Sequence, residues 1–498
     1  MPLSFRSERR ARVGPLLRLG AAARLGFLVF AGAIGFGLTA CDTTPLSSSP
    51  LAAWSRTDGG GGGAPAPDAF EEPTPPLTID PEPIPLAPAP AADASASIEM
   101  PDAGAADAGS TPAYPPLEDG LPTIHLWTAS EINSDDYTPA LLHANGHTYQ
   151  AEAKFRGASS LDYPKKSYTL KFERGDRFND ARAPGGFFSK RKVVLYSSFD
   201  DNSYLRTVLA FSLWNRLQGG RLAVEAYHAV IYLDGQYHGL YTVLDFIDED
   251  FFARYGLGDE GQLFKAVGHA SFYSSAPAWT LYEKKAGLPE VGASEDDMAF
   301  APIDSLRAFV RDTDPVAFTV QVPGVIDLES YVSWFILVSA LEADDTFGKN
   351  TYQYLPSSNH PWHLVPWDFN ASFGQDYTTA RQAVTYTVFG QAANTLLTMR
   401  LYGDPVLGPA LRERYVSALQ SDIEVSGVVA EIQTLAARIA AAAARDEERW
   451  GDAYRRFPRW STRPDLTTHR QEVAYLLTWV VERWAYLRGD LGVNLQTR

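Results

Sequence analysis

Asp345 and Asn350 stand five positions apart in Ala343-Asp344-Asp345-Thr346-Phe347-Gly348-Lys349-Asn350, and Asp368 follows in Pro366-Trp367-Asp368-Phe369-Asn370. The Asp-x-x-x-x-Asn spacing suits phosphoryl transfer, in which the aspartate orients an attacking hydroxyl and the asparagine holds a metal ion. Asp368 comes just after the apolar run Trp362-His363-Leu364-Val365, at the place where a strand end would offer the metal a carboxylate. A plainer reading stands beside this one. Asp345 and Asn350 are also ordinary turn residues that bond their own backbone, and Asp368 could simply pair with an arginine.

The elements that must position these groups are legible as patterns. Asp327 is placed to cap a helix over Leu328 to Leu341, whose Tyr331, Trp334, Phe335, Leu337 and Val338 form a buried face. That helix delivers Asp344-Asp345 at its end. Thr351 to Tyr354 and Trp362 to Val365 read as a hairpin, so Asn350 and Asp368 flank its two strands. Upstream, strands are expected at Leu121 to Trp127, His147 to Phe155, Lys166 to Phe172 and Val193 to Tyr196. Asp234-Gly235-Gln236, between Val230 to Leu233 and Tyr237 to Leu244, is a hairpin signal. Asn202 or Ser203 could cap a helix through Leu217 that ends at Gly219-Gly220; on it Arg206 could clamp an acid near the site, with a surface position as the default reading. Short strands are read at Leu263 to Lys265 and Leu281 to Lys285, and helices from Ile303 onward, including Val428 to Ala443 and Gln471 to Leu491.

A strand beginning at Lys166 would put that lysine on the same face as Tyr168, Leu170 and Phe172. A lysine on an apolar face needs an anionic partner or a lowered pKa. Two readings remain for it, a phosphate contact or a stem that snorkels at a strand end.

Of the 498 residues, 45% are hydrophobic, so a large core is possible, and the net charge of −17 argues against nucleic acid as a partner. Residues 1–40 carry a basic start and an apolar run from Leu25 to Ala40, the pattern of a secretory signal peptide. The run is followed by the chain's single cysteine, Cys41. Leu38-Thr39-Ala40-Cys41 resembles a bacterial lipobox. That resemblance implies cleavage before Cys41, lipid attachment to its sulfur and anchoring in the cell envelope outside the cytoplasm. Residues 41–118, rich in Pro, Ala, Gly, Ser and acids, are expected to form a disordered tether. Residues 119–498 are expected to form one folded domain.

Several stretches resemble the CotH family, named for a bacterial spore-coat kinase. They are Arg156-Gly157 with Pro164-Lys165-Lys166-Ser167-Tyr168-Thr169-Leu170-Lys171-Phe172, Asp200 to Arg206, Leu233 to Tyr241, Asp345 to Asn350, and Pro366 to Gly374, in the family's order. The resemblance implies an α+β, diverged atypical protein-kinase fold, rich in β-hairpins towards the N-terminus and helical towards the C-terminus. It implies transfer of the γ-phosphoryl of ATP, with Mg²⁺ or Mn²⁺, to Ser or Thr of secreted or surface proteins. Carried over, Asp345 is the catalytic aspartate, Asp368 a metal ligand, and Asn350 a second ligand by kinase analogy. Lys166, Lys165 and Arg156 would contact ATP. The family motif usually continues Trp-Asp-Phe/Tyr-Asp, whereas here Asn370 stands last. As a metal ligand Asn370 would offer a carbonyl oxygen but no charge.

Two other functions fit the same residues. One is a catalytically weak pseudokinase serving as a surface binding or envelope-assembly module, which Asn370 favours. The other is nucleotidyl transfer, recognised by AMP rather than phosphate on the acceptor.

Overall fold

The computed structural model describes residues 114–269, 276–291, 297–385 and 395–491, all within the unit Asp93–Arg498. The signal-peptide stretch 1–40, Cys41 and most of the expected tether lie outside the described residues. The last of the tether does not: β1 (Leu117–Glu118) pairs with β2 (Leu121–Thr128), and Glu118 accepts from the Tyr232 hydroxyl at 2.7 Å.

The N-terminal half is β-rich. After β2 come β3 (Thr138–Ala144), β4 (His147–Arg156) and β5 (Ser167–Phe172). The short pair β6 (Phe178–Asp180) and β7 (Phe187–Lys190) leads into β8 (Lys192–Tyr196), α1 (Arg206–Leu217), β9 (Ala226–Leu233) and β10 (Gln236–Asp245). Antiparallel pairing runs in the order β2-β3-β4-β5-β8-β10-β9, and β9 then pairs in parallel with β2, Thr123 opposite Val230. The sheet therefore closes on itself as a barrel, and only β1 hangs from it. Closure removes the unpaired edges that an open sheet must protect. Inward-facing Ile124, Leu126, Leu142, Tyr168, Leu170, Leu195, Ile231 and Val243 share one buried core. Asp234 and Gly235 turn the β9–β10 hairpin, both at positive φ, as a two-residue primed turn requires.

A second, four-stranded antiparallel sheet carries the motif loops. It comprises β11 (Gln262–Ala266), β12 (Tyr282–Ala286), β13 (Thr351–Leu355) and β14 (His363–Pro366), in the order β12-β11-β13-β14. Around it lie α2 (Glu249–Arg254), α3 (Asp297–Asp312), α4 (Pro315–Val325) and α5 (Leu328–Ala340). The C-terminal part is helical: α6 (Leu396–Gly403), α7 (Leu407–Gln420), α8 (Val425–Arg455) and α9 (His469–Asp490). A large apolar core joins α1, α5, α7, α8 and α9 through Leu209, Trp214, Phe335, Leu337, Tyr415, Ile439 and Trp484.

Three local expectations need correction. The strand after Pro164 begins at Ser167, not Lys166, and the fully buried lysine is Lys165. Asp327 precedes α5 but makes no side-chain cap; its carboxylate instead meets Arg221 at 3.1 Å and His363 at 3.3 Å. Arg206 is not a surface residue. It is wholly buried, paired with Asp201 and, at 2.7 Å, with Glu472, because only a guanidinium reaches both acids and the Ser372 carbonyl at once.

Candidate active site

The loop from α5 to β13 and the exit of β14 are stitched together by backbone and side chain. Asn350 N–H donates to the Ala266 carbonyl, and Trp367 N–H to the Asn350 carbonyl, each at 2.8 Å. The Thr346 hydroxyl donates to the carbonyls of Trp367 at 3.1 Å and Asp368 at 2.9 Å. The turn leaves no space at Gly348, where a Cβ would collide with the His269 carbonyl. Asn350 and Asp368 both have left-handed backbones, φ +54° and +72°. Asparagine and aspartate enter that region more readily than other side chains, yet either residue held there still costs about 1–3 kcal/mol.

Asp345 is held from two sides. The Asn350 side-chain N–H donates to its carboxylate at 3.0 Å and to its carbonyl at 3.1 Å, and the Lys349 ammonium sits 2.7 Å from the other carboxylate oxygen. Asp368 is different. No hydrogen bond or ion pair from another described residue reaches its carboxylate. Burial, followed by the charge of Asp345, pushes its pKa up to about 6, while Lys265 and Arg156 oppose the rise.

Those two cations are themselves unsatisfied. Lys265 on β11 lies in register with Tyr352 and has no hydrogen-bond or ion-pair partner among the described residues; burial lowers its pKa and Asp368 counters. The Arg156 guanidinium lies over the Trp367 and Phe246 rings, 5.1 and 5.8 Å from their centres, and its Nη1 is buried without a partner. A carboxylate and two cations, none of them neutralised by contact, are arranged to meet a charged ligand.

A third acid completes the floor. Asp200 accepts from the hydroxyls of Tyr163 at 3.0 Å and Tyr196 at 2.9 Å, and from the Asn370 amide at 2.8 Å. Gln375 donates to the backbone carbonyls of Asp200 and Asn370, which fixes the two segments together.

The sequence-derived residues therefore separate into two places. Asp345, Asn350, Asp368, Asn370 and Arg156 come together. Lys165 lies instead against Asp446 at 2.8 Å, and Lys166 donates to the Leu161 carbonyl with its ammonium 5.9 Å from the centre of the Phe155 ring. No hydrogen bond or ion pair joins either lysine to Asp345, Asn350 or Asp368 among the described residues. Lys265, Lys349 and Asp200 had no assigned role in the sequence. Lys349 is adjacent to Asn350 and Asp200 stands in a quoted motif, so both were within reach. Lys265 alternates with the buried Phe264 and reads as a solvent-facing strand residue.

Among the described residues, no group of three or more His, Cys, Asp or Glu side chains is placed to enclose a metal ion. The donors present are oxygens: the free Asp368 carboxylate, the Asn350 Oδ1 and the Asn370 Oδ1, which is buried without a partner. Such a set suits a hard cation like Mg²⁺, which binds through one or two carboxylates and completes its shell with phosphates and water.

A family model described as CotH kinase protein matches residues 153–487. The chain is 24% identical over 372 residues to inner spore coat protein H of Bacillus subtilis (strain 168), covering 73% of this chain and 93% of that protein. Among solved structures it is similar to the golgi casein kinase, at 10% identity and TM-score 0.29, over 74% of this chain and 73% of the other. It is also similar to the Helicobacter pylori proinflammatory kinase CtkA, at 10% identity and TM-score 0.27, over 74% of this chain and all of the other.

Proposed function

This chain belongs to the CotH kinase family, and on that premise we propose that it is an ATP- and divalent-metal-dependent protein kinase that phosphorylates Ser or Thr on extracytoplasmic proteins. One observation carries the reading. The Asn350 amide clamps Asp345 while the Asp368 carboxylate, at the end of the paired strand, takes no hydrogen bond or ion pair from another described residue and lies in the field of Lys265 and Arg156.

In this reading Asp345 accepts the proton of the attacking hydroxyl, and Lys349 with Asn350 fixes its orientation. Arg156 and Lys265 balance the charge of the ATP phosphates. They take the role that the family motif suggested for Lys165 and Lys166. Asp368, Asn350 and Asn370 would hold a Mg²⁺ ion, which supplies electrostatic stabilisation of the transferring phosphoryl group when bound. The location outside the cytoplasm and the lipid anchor at Cys41 rest on the leader sequence alone.

Asn370 favours a second reading, a weak or inactive kinase that serves as a binding module. The deciding experiment incubates the chain with γ-labelled ATP, Mg²⁺ or Mn²⁺ and a generic acceptor, beside Asp345→Ala and Asp368→Ala. Metal-dependent label transfer lost in both variants supports the kinase. Nucleotide binding without transfer to any acceptor supports the binding module. AMP on the acceptor would replace both with nucleotidyl transfer.

A further inference from the structure

We propose that this site holds a single divalent cation with its nucleotide, and that Asn370 limits it to one by locking Asp200 out of metal ligation. The inference rests on the nucleotide-site reading above.

The two acids on the floor are in opposite states. Asp368 takes no hydrogen bond from any other described residue. Asp200 has one carboxylate oxygen accepting from Tyr163 and Asn370 and the other accepting from Tyr196. A carboxylate offers about four acceptor positions, so neutral donors already fill most of those on Asp200. The shell is braced further out, since Arg459 donates to the Tyr163 hydroxyl at 3.1 Å. Gln375 ties the Asp200 backbone to that of Asn370. To ligate a metal, Asp200 would have to give up bonds that the fold holds in place.

The residue type at 370 decides this. The asparagine N–H donates to Asp200 at 2.8 Å. An aspartate there would bring a second acceptor to the same distance, and two buried carboxylates in contact need a cation or a shared proton between them. With Asp at 370 the pair becomes a second metal cradle, and with Asn it becomes a hydrogen bond.

The test counts Mn²⁺ bound per whole chain at saturating concentration of a non-hydrolysable ATP analogue. Electron paramagnetic resonance reads the free ion and the line broadening that two neighbouring Mn²⁺ ions produce. The expected result is one Mn²⁺ for the native chain and two for Asn370→Asp. Two in the native chain overturns the proposal and leaves the nucleotide reading intact. One in a folded Asn370→Asp overturns the role given to Asn370. Neither analogue nor Mn²⁺ bound overturns the nucleotide reading and this inference with it. The native count alone decides the first claim even if Asn370→Asp fails to fold.

Discussion

The Lys165 ammonium meets the Asp446 carboxylate at 2.8 Å, across 281 positions of sequence, with both side chains shut away from water. Lys165 also donates to the Leu240 carbonyl at 2.6 Å, while Leu240 N–H donates back to Asp446 at 2.7 Å. One buried pair thus rivets the lead-in to β5, the irregular start of β10 and the long helix α8. Breaking one half leaves an uncompensated buried charge. Lys165→Ala should cost about 3–5 kcal/mol in urea unfolding, whereas Lys165→Met with Asp446→Leu should recover most of that loss. A Lys165→Ala variant of native stability that loses nucleotide affinity would return Lys165 to the active site.

Asp345→Ala should lower phosphoryl transfer by about 10²–10⁴-fold, the usual contribution of a positioned acid or base. The Asp368 variants should part company in stability. At φ +72° an alanine is strained and a glycine is not, so Asp368→Gly should unfold about 1 kcal/mol later than Asp368→Ala although both are inactive. Equal stabilities would remove the argument from backbone strain.

Lys265→Met and Arg156→Met should each weaken binding of an ATP analogue by about ten- to a hundredfold, the value of a charge-assisted hydrogen bond. Their effect on the ligand-free chain should have the other sign. Each removes a desolvated cation with an unmet charge, so the melting temperature should hold or rise. A loss of stability without a loss of affinity would make them structural residues.

Acid should unfold the chain through Glu472. Burial alone would raise its carboxyl, but Arg206 and Arg381 outweigh burial and hold it well below the ordinary glutamate range. A group depressed in the folded state contributes stability above its unfolded pKa and loses it as pH falls towards the folded value. Stability should therefore be flat near neutrality and drop below about pH 4.5. Arg381→Met should lower the plateau and soften the drop. An unchanged acid profile in that variant would detach Glu472 from it.

Much of this architecture is readable in the sequence. Asp234-Gly235 announced its hairpin because only residues that tolerate positive φ close a two-residue turn. The run from Leu328 announced α5 because its apolar residues repeat at helical spacing. Asp345, Asn350 and Asp368 can be grouped from the sequence because they lie close along the chain and one hairpin brings them together. Long-range partners were not readable. Nothing local told Lys165 of Asp446, Arg206 of Glu472, or Lys265 of Asp368. β3 is hard to read because Pro139 argues against a strand and the adjacent Leu141 and Leu142, both buried, blur the alternation. β1, only two residues long, carries little signal in the sequence.

The parallel pairing of β2 with β9 has a temporal consequence. A ribosome delivers Leu121–Thr128 early, and its closing partner, Ala226–Leu233, arrives only after every other strand of the ring except β10 has been made. Until then the edge of β2 from Thr123 onward stays unpaired, because β1 reaches only Leu121 and Pro122. Such distant pairing makes folding slow and leaves a period in which a passing strand from another chain could take the place of β9. Cells producing this protein have reason to keep it unfolded, or chaperoned, until residue 245 is free.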